Sequence, residues 1–180
     1  MIAIDLGANQ GAFTARLAET ASKVYAFEPD PWSLKRLRGA TAGCANVDII
    51  EAAAGVEDGK AEIFRHEAFA ERPEEVSLVS TVMPDFSAAD HSGTAMKVPM
   101  VDFIAFLAGL EGRIGLLKID IEGAEVPLLE ALFESDQAER IDYIFCETHE
   151  PDLPKLAPRY KALRDRAARM SRPVVNLDWQ

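Results

Sequence analysis

The opening eleven residues, Met1 to Gly11 (MIAIDLGANQG), restrict the fold more than any other stretch of the chain. Ile2 to Ile4 is a short apolar run in which β-branched residues predominate and glycines soon follow, the pattern of a buried strand. Asp5 puts a carboxylate at the carboxyl end of that strand. Gly7 and Gly11 bracket a turn whose backbone can take positive φ or approach a ligand closely, because neither residue has a Cβ. Beyond Gly11, Phe13, Leu17 and Ala18 fall at helical spacing. Strand, glycine turn and helix together make the nucleotide-binding opening of a doubly wound α/β sheet. An ordinary tight βα connection is the plainer reading of the same residues.

The alternation continues along the chain. Lys23 to Glu28 (KVYAFE) reads as a second strand ending in Glu28, and Asp30-Pro31 as a helix start with Asp at the N-cap and Pro at the first helical position. Trp32, Leu34 and Leu37 supply that helix's apolar side, which fades near Gly39. Asn46 to Ile50 is a third strand, and Glu51 to Gly55 (EAAAG) offers small residues where a flat ligand group could slide in. Ala61 to Arg65 is a short strand after a turn. Residues 66–96 show no sustained period, and a loop this long in a compact domain is more often functional than idle. It is the candidate substrate lid, with a plain surface loop as the other reading. His66 and His91 lie within it and are assigned no role.

Lys97 to Val101 is extended, Asp102 to Leu110 is an apolar helix, and Gly115 to Ile121 (GLLKIDI) is the clearest strand. Val126, Leu129, Leu132 and Phe133 then fall at helical spacing, with Pro127 close enough to the helix start to be tolerated. Asp142 to Thr148 is a further buried strand, followed by His149. Leu156, Tyr160, Leu163, Ala167 and Met170 make one apolar stripe, and residues 172–179 are expected to close the sheet. This alternation predicts one α/β domain over residues 1–180, its sheet mostly parallel and covered by helices on both faces.

Composition narrows the partners. The 180 residues carry a net charge of −11, and from Pro151 onward the balance is +4, which leaves −15 for the first 150. Nucleic acid and other polyanions are therefore disfavoured, since binding them rests on phosphate neutralisation by Lys and Arg. No apolar run approaches the roughly 20 residues of a membrane helix, so membrane insertion is not expected. The start has no basic-then-apolar leader, and Cys44 and Cys146 lie in stretches that look structural, so a reducing cytoplasm is the expected location. A homodimer is left open.

In such sheets ligands bind at the carboxyl ends of the strands, which here carry Asp5, Glu28, Asp120, Glu147 and His149. Glu28 is placed to accept two ribose hydroxyls of an adenine cofactor. A dinucleotide site uses G-x-G-x-x-G so that a pyrophosphate can sit on the helix N-terminus. This chain has GANQG preceded by a carboxylate, which suits a cation better than a pyrophosphate. S-adenosylmethionine lacks phosphate and carries a sulfonium and an ammonium. The residues therefore favour a methyl donor over NAD.

Four motifs resemble the FkbM-type methyltransferases, a branch of the class I S-adenosylmethionine-dependent enzymes: Ile4 to Gly11 (IDLGANQG), Ala26 to Pro31 (AFEPDP), Leu117 to Glu125 (LKIDIEGAE) and Glu147-Thr-His149. They span most of the chain, and the third is the most specific. The resemblance implies a Rossmann-like methyltransferase sheet and O-methylation, often of a sugar or polyketide hydroxyl. It further implies that Asp5, Gly7, Ala8, Asn9 and Gly11 form the donor's methionine end of the site and that Glu28 meets its ribose. Family chains commonly carry residues before the first strand, whereas this one begins inside it. A strand at the very end of the chain is expected to fray and to be ordered by the donor.

Lys118, Asp120 and Glu122 share one strand face if the extended pattern persists that far. An unpaired interior lysine is expensive, and Glu147 on the next strand is its expected partner. Asp120 and Glu122 lie where the methyl sulfonium would be. They could orient an acceptor hydroxyl or hold a divalent cation such as Mg²⁺ or Ca²⁺, while no His or Cys cluster supports zinc. His149 is the expected general base, because imidazole titrates near neutral pH, with Glu147 orienting it; a loop histidine that caps the strand is the plainer reading. The leading expectation is methyl transfer to the hydroxyl of a small molecule, sugar or natural product. The alternatives are an NAD-dependent oxidoreductase on the same sheet and a donor-binding module without turnover.

Overall fold

The structure is a computed structural model, and it describes residues 1–83 and 95–179. Its main sheet has six strands, all parallel to their neighbours, in the order β3-β2-β1-β7-β8-β9. These are β1 (Ile2–Leu6), β2 (Lys23–Phe27), β3 (Val47–Ile50), β7 (Ile114–Ile119), β8 (Ile141–Cys146) and β9 (Val174–Asn176). Helices α1 (Ala12–Ala18) and α2 (Pro31–Ala40) cover one face. Alternation along the strands explains why: Ala3 and Val24 pack with Leu17 of α1, and Ala26 with Leu34 and Leu37 of α2. The neighbouring residues Ile4, Leu6 and Phe27 point the other way, into the principal core. There they meet α4 (Phe103–Gly109), α5 (Glu125–Glu134) and α6 (Ala157–Ala167), which supply Phe103, Leu129, Tyr160 and Leu163.

The strand order reverses between β1 and β7, because the chain first builds outward on one side and then returns to the other. Such a switch point opens a crevice above the carboxyl ends of the two strands. β1 therefore occupies the middle of the sheet, hydrogen-bonded to β2 and β7 on its two edges. The expected fraying of this strand does not fit that placement. Met1 is itself tied by its amino group to Ser22 Oγ (3.0 Å) and by its carbonyl to Ser22 N (2.8 Å).

A second sheet of three strands departs from the single-sheet expectation. It comprises β4 (Ala53–Gly55), β5 (Gly59–Phe64) and β6 (Ala95–Asp102) in the order β4-β6-β5, with β4 parallel and β5 antiparallel to β6. Ala53, Ala54 and Gly55 of EAAAG thus form a strand. Between β5 and β6, residues 67–79 coil through a turn of 3₁₀ helix (Glu67–Ala70), α3 (Pro73–Val76) and a second 3₁₀ turn (Ser77–Val79). Residues 84–94 of the expected lid, with His91, lie outside the described residues.

Two caps follow from the sequence. Asp30 accepts from Trp32 N at 2.7 Å, and Pro31 opens α2 behind it. Asp102 caps α4 through Ile104 N (2.9 Å) and Ala105 N (3.0 Å). β7 ends two residues short of the expected Ile121, so Lys118, Asp120 and Glu122 do not share a strand face. Glu122 instead takes φ 50° in the turn leading to α5.

Candidate functional site

A cleft of ≈ 250 Å³ opens at the switch point. Its floor is the turn after β1 and the turn after β7, which lie against each other. At Gly7, with φ 77°, a Cβ would stand 1.7 Å from the carbonyl oxygen of Asp120, so only glycine lets the two turns meet. Of the residues expected to bind or act on a ligand, Gly7, Asn9, Glu28, Asp120, Glu122 and Glu147 line this cleft. Its other walls are apolar or small: Phe27, Pro29, Ala52, Ala53, Ala54 and Ile63 on one side, Ile121 and Ala124 on the other. None of its lining residues among those described is a lysine or an arginine.

Glu28 is buried at the end of β2. One oxygen accepts from Asn9 N and the other from Asp30 N, both at 2.8 Å. Burial pushes its pKa up to about 7, against the lowering effect of those two backbone hydrogen bonds. Each oxygen keeps a second lone pair, so the carboxyl remains able to receive two hydroxyl donors. The glycine turn is locked onto the same strand end, since Gly7 N and Ala8 N both donate to Phe27 O, at 3.1 and 2.9 Å.

Asp5, Ala8 and Gly11, expected at the donor, do not line the cleft. Asp5 is fully buried beneath the turn. It accepts from Thr14 Oγ1 at 2.6 Å and pairs with Lys118 Nζ at 3.1 Å. Ala8 packs with Ala26, Leu34 and Leu37. Gly11, at φ 88°, sits so near α2 that a Cβ would meet the Leu37 side chain at 2.7 Å. These three residues shape the turn from behind.

Lys118 pairs with Asp5 and, at 3.3 Å, with Asp120; the expected Glu147 is replaced because β1 lies beside β7 in register Asp5↔Lys118. Its ammonium also donates to Gly7 O at 2.8 Å. Burial alone would lower the lysine's pKa, yet the charges of Asp5 and Asp120 outweigh it and hold the group above its usual range. The buried cation thus ties together β1, the glycine turn and the carboxylate of Asp120.

His149 is 8% exposed and also lies outside the cleft lining. Its Nε2 stands 3.2 Å from Glu122 Oε2 and its Nδ1 3.3 Å from Glu125 Oε1. Glu125, fully buried at the start of α5, accepts in addition from His149 N (2.9 Å), Gly123 N (2.8 Å) and the hydroxyl of Tyr160. Burial opposes its ionisation, but the His149 and Tyr160 hydrogen bonds and the imidazole charge prevail and lower its pKa. For His149 burial is likewise outweighed: the Glu125 hydrogen bond and the charges of Glu122 and Glu125 push it up to about 9. That shift favours the imidazolium form at neutral pH, which weighs against the general-base role expected of His149 and towards an ion pair with its two acidic neighbours.

Glu122 faces the cleft in front of this imidazolium. Burial raises its pKa to about 8, offset in part by His149 and reinforced by Asp120, Glu147 and Glu125. Glu147 is raised as well, first by burial and then by Asp120. Asp120, Glu122 and His149 each offer one ligand atom, all within 4.8 Å of one another. The charge on His149 works against a cation there. Glu125, the last residue of the motif Leu117 to Glu125, and Tyr160, in the apolar stripe, carried no expected role in the site. The only signal was a tyrosine in an otherwise apolar stripe, which must find a partner for its hydroxyl when buried.

Fold and cleft together define a doubly wound α/β protein with an acid-walled ligand site at its switch point. The chain belongs to the FkbM methyltransferase domain family, which matches residues 5–170. Among solved structures, an FkbM methyltransferase from Methylobacillus flagellatus KT is similar in fold, with a TM-score of 0.52 and 16% identity. That likeness covers 91% of this chain and 37% of the other, so this chain spans little more than a third of the neighbour's length. No curated protein matches the chain. None of its described helices is long and apolar enough to cross a membrane.

Proposed function

We propose that the cleft binds S-adenosylmethionine and that the chain transfers its methyl group to a hydroxyl oxygen of a small molecule, sugar or natural product. The observation that carries this reading is the acidic lining of the cleft: Glu28, Asp120, Glu122 and Glu147 line it, with no lysine or arginine among the described lining residues. A sulfonium and an ammonium favour the ionised form of these carboxyls, whereas the pyrophosphate of NAD would be repelled by it. Bare backbone at Gly7 gives a flat floor, and the two spare lone pairs of Glu28 suit a ribose diol. Family membership supports the same cofactor.

S-adenosylmethionine supplies an electrophilic methyl group that a hydroxyl oxygen can attack in line as the sulfur departs as a neutral thioether. The chain's part is to hold the acceptor and take its proton. Glu122 is assigned that proton, because it faces the cleft and a sulfonium bound there favours its ionised form, drawing down a pKa that burial holds at about 8. Asp120, fixed by Lys118, is assigned the orientation of the acceptor hydroxyl. The divalent cation considered from sequence is given no role, since the His149 imidazolium 3.2 Å from Glu122 opposes a second positive charge there. Anionic acceptors are disfavoured by the same walls.

Calorimetric titration tests the reading. The folded chain is expected to bind S-adenosylhomocysteine, with equal affinity in the presence and absence of Mg²⁺, and to bind NADH not at all. Glu28→Ala should weaken binding at least tenfold, about 1.4 kcal/mol. Absence of binding at millimolar ligand, or tighter binding of NADH, would overturn it.

A further inference from the structure

Residues 77–82 form a strap along one side of the cleft, tied down at both ends. At the first end Asn9 donates its side-chain amide to Ser77 O at 3.1 Å and accepts from Ser77 Oγ at 3.3 Å. Gln10 Nε2 reaches Glu74 O at 3.0 Å. At the second end Thr81 exchanges backbone hydrogen bonds with Phe64, at 2.7 and 3.1 Å, and donates its hydroxyl to Glu122 O. The strap therefore runs from the glycine turn to the acidic turn after β7. Ser77, Leu78, Ser80 and Val82 of this strap line the cleft, with Leu78 and Ser80 between the two anchors.

Ser80 does not fit a purely structural strap. Its hydroxyl is buried and has no hydrogen-bond partner among the described residues. Native folds seldom leave such a group, because it gives up its hydrogen bonds to water and receives nothing in return. The other buried oxygen without one, Asp5 Oδ1, stands 3.1 Å from the Lys118 ammonium and is compensated by charge. Ser80 has no such neighbour.

We infer that the Ser80 hydroxyl is a ligand-binding group whose missing partner is a polar atom of the methyl donor. The inference rests on the proposed function. A molecule that reaches from Glu28 to Asp120 and Glu122 lies along the whole length of the strap, since the strap is fastened beside Asn9 at one end and to Glu122 at the other. The serine stands between those two anchors. An acceptor held at the carboxylates alone has no need of this wall.

Two variants test it with S-adenosylhomocysteine as the probe. Ser80→Ala removes the hydroxyl, and Ser80→Cys keeps the volume while offering only a weak donor. Both should bind the probe about 3- to 10-fold more weakly, the loss expected for one neutral hydrogen bond. The ligand-free thermal midpoint of Ser80→Ala should stay level or rise, because an unsatisfied buried group has been deleted. Affinity within twofold of wild type for both variants overturns the inference alone. So does a midpoint several degrees lower without ligand, which would reveal a structural partner for the hydroxyl. A wild-type chain that binds no probe instead overturns the donor reading beneath it.

Discussion

His149 is held by the acids on either side of it, and the consequence is visible in how the protein titrates. His149 is pushed up to about 9 from its ordinary 6.5, Glu122 to about 8 from 4.5, and Glu28 to about 7 from 4.5. Each group binds protons more tightly folded than unfolded. Its contribution to stability is therefore present below the unfolded value and is lost as pH rises through the folded one. Together the windows span pH 4.5 to about 9, so the thermal midpoint should fall steadily between pH 6 and 9. Glu125, whose pKa is lowered, acts with the opposite sign only at the acid end of the scale. His149→Gln should flatten the slope between pH 6.5 and 9. A midpoint that is level or rises across that range would refute the assignment of charge to this trio.

Two strands that touch only because of the sheet's order, β1 and β7, bring Asp5 and Lys118 together. With side chains 0% and 4% exposed, neither charge can turn to water if the other is removed. Lys118→Met should therefore destabilise the fold by about 3–5 kcal/mol in urea unfolding, the cost of an unpaired buried charge. The double variant Asp5→Asn/Lys118→Met should recover much of that loss. Additive losses would mean that the pair does not act as one unit.

This pair also shows what the sequence could and could not convey at the level of elements. Strand β2, the Asp30-Pro31 start of α2, and the helix after EGAE were legible, because propensity, caps and apolar period agree over short spans. The partner of Lys118 was not: Glu147 looked plausible until the strand order placed Asp5 directly opposite. The second sheet was hidden for a similar reason. Its strand Ala53–Gly55 is three small residues without β propensity, and it becomes a strand only by pairing with Met100 to Asp102. In the candidate site, the acids at strand ends were readable from position alone. The Tyr160–Glu125–His149–Glu122 chain was not, because it joins α6 to the turn after β7 across 38 residues of sequence, and it reverses the protonation expected of the histidine.

At the scale of the whole molecule, a switch point in the main sheet makes the crevice, and the small sheet with the 77–82 strap gives it side walls. Four acidic side chains of the first 150 residues, Glu28, Asp120, Glu122 and Glu147, meet around one cleft. A cationic, phosphate-free nucleoside is the ligand proposed for this arrangement. The most direct test is a crystal structure of the chain with S-adenosylhomocysteine. The ribose hydroxyls should lie on Glu28, the sulfur should face Asp120 and Glu122, and His149 should remain between Glu122 and Glu125 without touching the ligand. A ligand bound outside this cleft, or with its sulfur turned away from Asp120 and Glu122, would contradict the account.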